Sequence, residues 1–202
     1  MSETKKYIIK TASRLFLERT YKEVTMKDIV TETKLSKGAF YHYFESKEQL
    51  FVAVLDYFFD DFQHPYEKYG RNSFYEFYHD YLNGIGGIMK SYLEQFDMVT
   101  DQQSLTMNYF SLIFEAFRLL PDYRKRVIAS QNDEIKVWVD RIRNAKKSGE
   151  LKSSVSEQET AEMFYNLCDG TAMHLIMIGH PAEMMHSQII KLMDLMYDMV
   201  KT

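Results

Sequence analysis

Apolar positions recur along most of this chain with the helical period of three to four residues. Ile8, Ala12, Leu15 and Phe16 form one stripe, which predicts a helix over roughly 3–19. A short helix follows Thr25, whose hydroxyl and the Asp28 carboxylate are spaced as a capping box; it carries Ile29 and Val30 inward and stops near Thr33. A third helix begins after Ser36 and carries Phe40 and Phe44. Ser46 and Gln49, another capping pair, open a fourth with Leu50, Phe51, Val54, Leu55, Phe58 and Phe62 on one face and an end or kink at Pro65. Later helices are expected near 72–95, 102–119, 121–147, 157–178 and 181–200. Gly84, Gly86 and Gly87 loosen the first of these, either as a bend around a ligand or as a break. Pro121 suits a first turn, Ser148-Gly149 and Gly179 suit C-terminal caps, and Ser156 to Glu159 spell a capping box. The pattern predicts an all-α chain of about nine helices, with no repeat, low-complexity run or long linker.

Composition supports this. Only 8 Gly and 3 Pro stand among 202 residues, too few for a protein of many tight turns. One cysteine, Cys168, excludes an internal disulfide and suits a reducing cytosol. No apolar run approaches the ~18–20 residues of a membrane span, and the opening MSETKKYIIK lacks the apolar stretch of a signal peptide, so no membrane partner is expected. Net charge is −4, yet the first 50 residues carry 10 Lys/Arg against 7 Asp/Glu, and the rest is acidic. A slightly basic head on an acidic body suits a nucleic-acid-binding end.

Residues 25–47 read TMKDIVTETKLSKGAFYHYFESK. Two short helices joined by a tight turn, braced by a preceding helix, make a helix-turn-helix. Thr25 and Lys27 stand at the start of the bracing helix, where free N–H groups favour a phosphate. Ser36, Lys37, Gly38 and Ala39 start the second helix; small residues there let the backbone approach DNA, and Lys37 can reach guanine or a phosphate. Tyr41, His42 and Tyr43 offer O–H, N–H and ring faces, and Lys47 is placed for a backbone phosphate.

This segment resembles the DNA-binding domain of TetR-family transcriptional regulators. The resemblance rests on Thr25, Ile29, Leu35-Ser36-Lys37-Gly38, Phe40-Tyr41-His42-Tyr43-Phe44 and Ser46-Lys47-Glu48-Gln49-Leu50, about the first 50 residues. Two positions depart from it. Lys34 stands where the family often has glycine before the recognition helix, and Thr20 where it often has glycine after the first helix. A non-glycine residue at positive φ costs roughly 1 kcal/mol, so Lys34 is either strained or its turn is built differently. The resemblance implies a helix-turn-helix domain over 1–48 and a larger helical ligand-binding and dimerisation domain over 49–202. It implies a homodimer, usually repressing, on a near-palindromic double-stranded operator. A small effector in the body would release the DNA.

Residues 51–123 hold 19 of the chain's 30 aromatics. An aromatic-lined cavity is expected among Phe62, Tyr66, Phe77, Tyr81, Tyr109, Phe110, Phe114 and Phe117, with Asn166 and Asp169 as polar groups, although aromatic stripes more often simply pack. The last two helices carry more apolar surface than one face needs, and the resemblance assigns Met163, Phe164, Leu167, Leu175, Ile189, Leu192, Met193 and Met196 to a dimer interface. No histidine pair has HExxH spacing, and no phosphate loop or nucleophile elbow occurs, so no metal, cofactor or catalytic site is expected. The alternative is a DNA-binding adapter controlled by a protein partner.

Overall fold

The structure is a computed structural model that describes the chain except residues 62, 63, 71, 96–101, 153 and 181 and, at some positions within helices, side chains at 60, 61, 88–93, 95, 102–106, 182 and 183. Among the described residues it is all-α: α1 Glu3–Glu18, α2 Met26–Thr33, α3 Lys37–Tyr41, α4 Lys47–Asp61, α5 Phe74–Gln95, α6 Gln102–Leu119, α7 Pro121–Ser148, α8 Glu157–Met177 and α9 Ala182–Val200. Both full capping boxes form where expected, at Thr25/Asp28 and Ser156/Glu159. At the third pair, Ser46 Oγ accepts from Gln49 N at 3.1 Å, but the Gln49 side chain accepts from Glu45 N at 2.9 Å, one residue upstream of its expected partner. Gly149 and Gly179 take φ of 82° and 72°, and the N–H of the residue after each glycine reaches back to Ala145 and Leu175. Only glycine reaches that conformation without a steric penalty.

Packing divides the chain into two units. The first joins Met1–Gln63 with Lys90–Pro121, and the second joins His64–Met89 with Asp122–Thr202. A division at 48/49 falls inside α4. The first unit is built on α1, which buries Ile8, Ala12, Leu15 and Phe16 against Ile29, Phe40, Phe44, Leu50 and Phe51. Phe16, Tyr21 and Phe51 meet ring to ring at 4.2–6.1 Å. Helix α6 belongs to the same unit and buries Leu112 and Ala116. Its Asn108 side chain donates to the Leu17 carbonyl at 2.8 Å, satisfying an orphan acceptor at the end of α1.

The second unit packs around Trp138, with Phe74, Phe77, Tyr78 and Tyr81 of α5, Ile142 of α7 and Phe164 of α8. Glu150, just past α7, caps α5 by accepting from Phe74 N and Tyr75 N at 2.9 and 3.1 Å. Asp194 of α9 accepts from the Tyr78 hydroxyl at 2.6 Å and lies 2.9 Å from His79 Nε2. The three glycines of α5 neither end nor break it. At Gly84 the reason for glycine is contact, because a Cβ would stand 2.2 Å from the Tyr69 hydroxyl. No described helix is long and apolar enough to cross a membrane.

Candidate nucleic-acid interface and effector site

The turn between α2 and α3 is tight because Lys34 takes the left-handed conformation, φ 56° and ψ 15°. It is the one non-glycine residue at positive φ among those described, so the strained reading of Lys34 holds. Thr20 solves its turn differently, with its N–H and hydroxyl both donating to Glu23 Oε2 at 2.8 and 2.9 Å. Beyond the turn, Ser36 Oγ accepts from Ala39 N at 3.2 Å and starts α3. The helix stops at Tyr41, earlier than a helix carrying Phe44 would. The N–H groups of Tyr43 and Phe44 both reach the Phe40 carbonyl, and this closing turn still delivers Phe44 inward.

The result is a two-faced element. Phe40 and Phe44 are buried, whereas Ser36, Lys37, Gly38, Ala39, Tyr41 and His42 are exposed and Tyr43 is half-buried against the His42 ring. A Cβ at Gly38 would meet nothing within 4 Å, so the backbone there is open to an approaching surface. Thr25 is exposed at the start of α2, where it caps Asp28 N and holds that carboxylate below the usual range. Lys27 and Lys37 are exposed and form no ion pair among the described residues. Lys47 differs. It is half-buried with Nζ 4.1 Å over the Tyr21 ring, and desolvation lowers its pKa. It lines a groove of about 430 Å³ with Tyr21, Lys22, Glu48, Glu115 and Arg118 among its walls.

The residues expected to line an effector cavity do not come together in one unit. Phe62 lies outside the described residues. Tyr109, Phe110, Phe114 and Phe117 belong to the first unit, where Tyr109 meets Phe58 edge-on at 6.1 Å and Phe114 is 56% exposed. In the second unit Phe77 is fully buried against Trp138 and serves the core. Asn166 is exposed. Tyr66, Tyr81 and Asp169 do share a cluster, around a residue the pattern did not single out, Glu134 of α7. It accepts from the Tyr66 hydroxyl and, at 2.8 Å, from the Tyr165 hydroxyl. Burial and then Glu134 raise both phenols. Burial first, then Glu134, pushes the Asp169 carboxyl up to about 6. The Cys168 thiol is pushed up to about 12, chiefly by burial. His64 is lowered by burial; it stacks on Tyr81 at 4.8 Å and pairs with the Tyr69 hydroxyl at 2.9 Å. The available signal was spacing, since Glu134 with Trp138 and Tyr165 with Asp169 are each one helical turn apart.

Of the dimer candidates, Met163 is 51% and Leu192 36% exposed, with Leu195 at 54% beside them. Leu167 and Met196 are half-buried. Phe164 and Met193 have no exposed surface, and Leu175 and Ile189 have little, because they fill the chain's own interior. The apolar surface left open is therefore narrower than the periodicity alone suggests.

A braced helix-turn-helix with one buried aromatic face and one exposed basic and polar face has the layout of a DNA-binding element. Residues 8–54 match the model of bacterial regulatory proteins, tetR family. The uncharacterized HTH-type transcriptional regulator YuxN of Bacillus subtilis is 47% identical over 60 residues, which are 30% of this chain and 21% of that protein. The HTH-type transcriptional repressor DhaR of a Mycobacterium is 37% identical over 59 residues, 29% of this chain and 30% of that one. Both matches thus span less than a third of the relative. A crystal structure of a TetR-family regulator from a Rhodococcus superposes with a TM-score of 0.69 over 97% of this chain and 100% of that one, at 19% identity. The match to that family is shown over residues 8–54, and the chain as a whole shares the fold of the Rhodococcus structure.

Proposed function

We propose that this chain is a cytoplasmic transcriptional repressor that binds a near-palindromic operator as a homodimer and releases it when a small molecule occupies the second unit. The observation that carries the reading is the division of the helix-turn-helix. Burial of Phe40 and Phe44 turns Lys37, Tyr41 and His42 outward together, beside an open backbone at Gly38. Lys37 reads base edges or a phosphate, Tyr41, His42 and Tyr43 contact phosphate and thymine methyl groups, and Thr25, Lys27 and Lys47 hold the backbone. The exposed apolar side chains of α8 and α9, Met163, Leu192 and Leu195, support pairing with a second copy. The description of DhaR as a repressor supports the sign of regulation. The Glu134 cluster supports an effector site, because polar groups converge there on aromatic walls.

The test is fluorescence anisotropy on duplexes from the DNA flanking the gene, read against salt. Lys27→Ala lowers affinity for all sequences alike and flattens the salt slope by about one contact per subunit; Lys37→Ala also relaxes base preference. Binding without salt dependence, or indifferent to both substitutions, refutes the assignment.

A further inference from the structure

The ammonium of Lys47 has a fixed seat. Tyr21, in the turn after α1, is buried, with Phe16 edge-on at 5.4 Å and Phe51 at 4.2 Å. The core therefore sets where its ring stands, and Lys47 Nζ lies 4.1 Å from the centre of that ring. Carboxylates surround this seat without taking the cation. Glu48 and Glu115 line the same groove. Arg118 occupies both oxygens of Glu115, donating from Nε to Oε2 at 3.1 Å and from Nη2 to Oε1 at 2.5 Å. Asp28, whose charge acts on Lys47, accepts from Thr25 N and Oγ1 at 2.8 and 2.7 Å. Lys47 itself forms no ion pair among the described residues. A lysine on its flexible four-carbon stem visits many rotamers, and a neighbouring carboxylate would neutralise it. A ring face orients the ammonium while leaving its charge uncompensated and its N–H groups available to an incoming acceptor.

We propose that Tyr21 is a positioning residue for DNA binding: its ring holds the Lys47 ammonium clear of Glu48 and Glu115, ready for a backbone phosphate. The proposal rests on the reading of Lys47 as a phosphate contact and adds a residue that acts through it. Restricting the Lys47 rotamers before DNA arrives lowers the ordering cost of the contact. Because a phosphate carries no base identity, Tyr21 sets affinity and leaves sequence preference alone.

The full chain is measured by fluorescence anisotropy on duplexes from the DNA flanking the gene, with Phe and then pentafluorophenylalanine at position 21. The fluorinated ring keeps the shape of phenylalanine and reverses the charge of its face, so it tests the contact without emptying the core. Tyr21→Phe is expected to bind as the parent does. The fluorinated chain is expected to bind all sequences about two- to fivefold more weakly, at a thermal midpoint matching that of Tyr21→Phe. In a Lys47→Ala background the same exchange of rings changes affinity no further. A merely structural role for Tyr21 predicts a loss that follows the thermal midpoint and persists without Lys47. Equal affinity of the two ring variants, or a loss that persists in Lys47→Ala, overturns the proposal. Lys47→Ala alone separates it from the reading beneath it. If that substitution flattens the salt slope by about one contact per subunit while the ring exchange does nothing, the phosphate contact stands and the role of Tyr21 falls. If the slope is unmoved by Lys47→Ala, the phosphate contact falls and the role of Tyr21 falls with it.

Discussion

Lys34 stores strain in the turn that aims α3, and substituting it measures that strain. At φ 56° a Cβ crowds the following carbonyl, which costs roughly 1–2 kcal/mol relative to the right-handed region. Glycine removes this cost but loses about 0.5–1 kcal/mol through the greater freedom of its unfolded chain. Replacing Lys34 also removes a positive charge at the C-terminus of α2, worth about 0.3–1 kcal/mol. The informative comparison is therefore Lys34→Gly against Lys34→Ala, which lose the same charge while only alanine keeps the strain. Lys34 is exposed and has no ion pair among the described residues, so little else changes. The glycine variant is expected to be about 0.5–1 kcal/mol more stable than the alanine variant, with an unchanged urea m-value, or about 1–4 °C in Tm for a chain of this size. Urea unfolding followed by circular dichroism reads the difference. A glycine variant no more stable than the alanine variant would refute the account of the turn.

Gly84→Ala drives its Cβ to 2.2 Å from the Tyr69 hydroxyl, displacing that ring and its 2.9 Å bond to His64; a loss of about 1–3 kcal/mol is expected, partly regained in a Gly84→Ala/Tyr69→Phe double variant. No recovery in the double variant would mean the clash lies elsewhere. The capping carboxylates Asp28 and Glu159 are held below their usual range chiefly by the hydroxyls of Thr25 and Ser156. Because their folded pKa values are depressed, their stabilisation is fully present above the unfolded carboxylate range, near pH 4, and is lost as pH falls through the folded values. Stability measured down that range should fall less steeply in Asp28→Asn/Glu159→Gln, and an unchanged slope would sink the idea. Burial pushes the Cys168 thiol up to about 12, so a disulfide reagent near pH 8 should label it only after unfolding, whereas rapid labelling of the native chain would contradict its placement.

What could be read along the chain was local. The caps at Thr25 and Ser156, the left-handed glycines at 149 and 179, and the alternation of Phe40 and Phe44 with Tyr41 and His42 each depend on residues within one or two turns, and each forms as spaced. The aromatic region resisted the same reading because a helical period does not say which partners an aromatic meets; Phe77 and Tyr81 lie one turn apart on α5 and both pack on Trp138, Tyr81 also stacking on His64. The deciding partners are far off in sequence. Tyr66 finds Glu134 across 68 residues, Tyr78 finds Asp194 across 116, and the cap of α5 comes from Glu150, 76 residues beyond Phe74. The same holds for Asn108 and Leu17, 91 residues apart, whose bond ties α6 to the end of α1. That contact has a mechanical consequence. Since α6 shares a buried core with the helix-turn-helix through Leu112 and Ala116, a force on α6 reaches the recognition element through packed side chains rather than through a flexible linker.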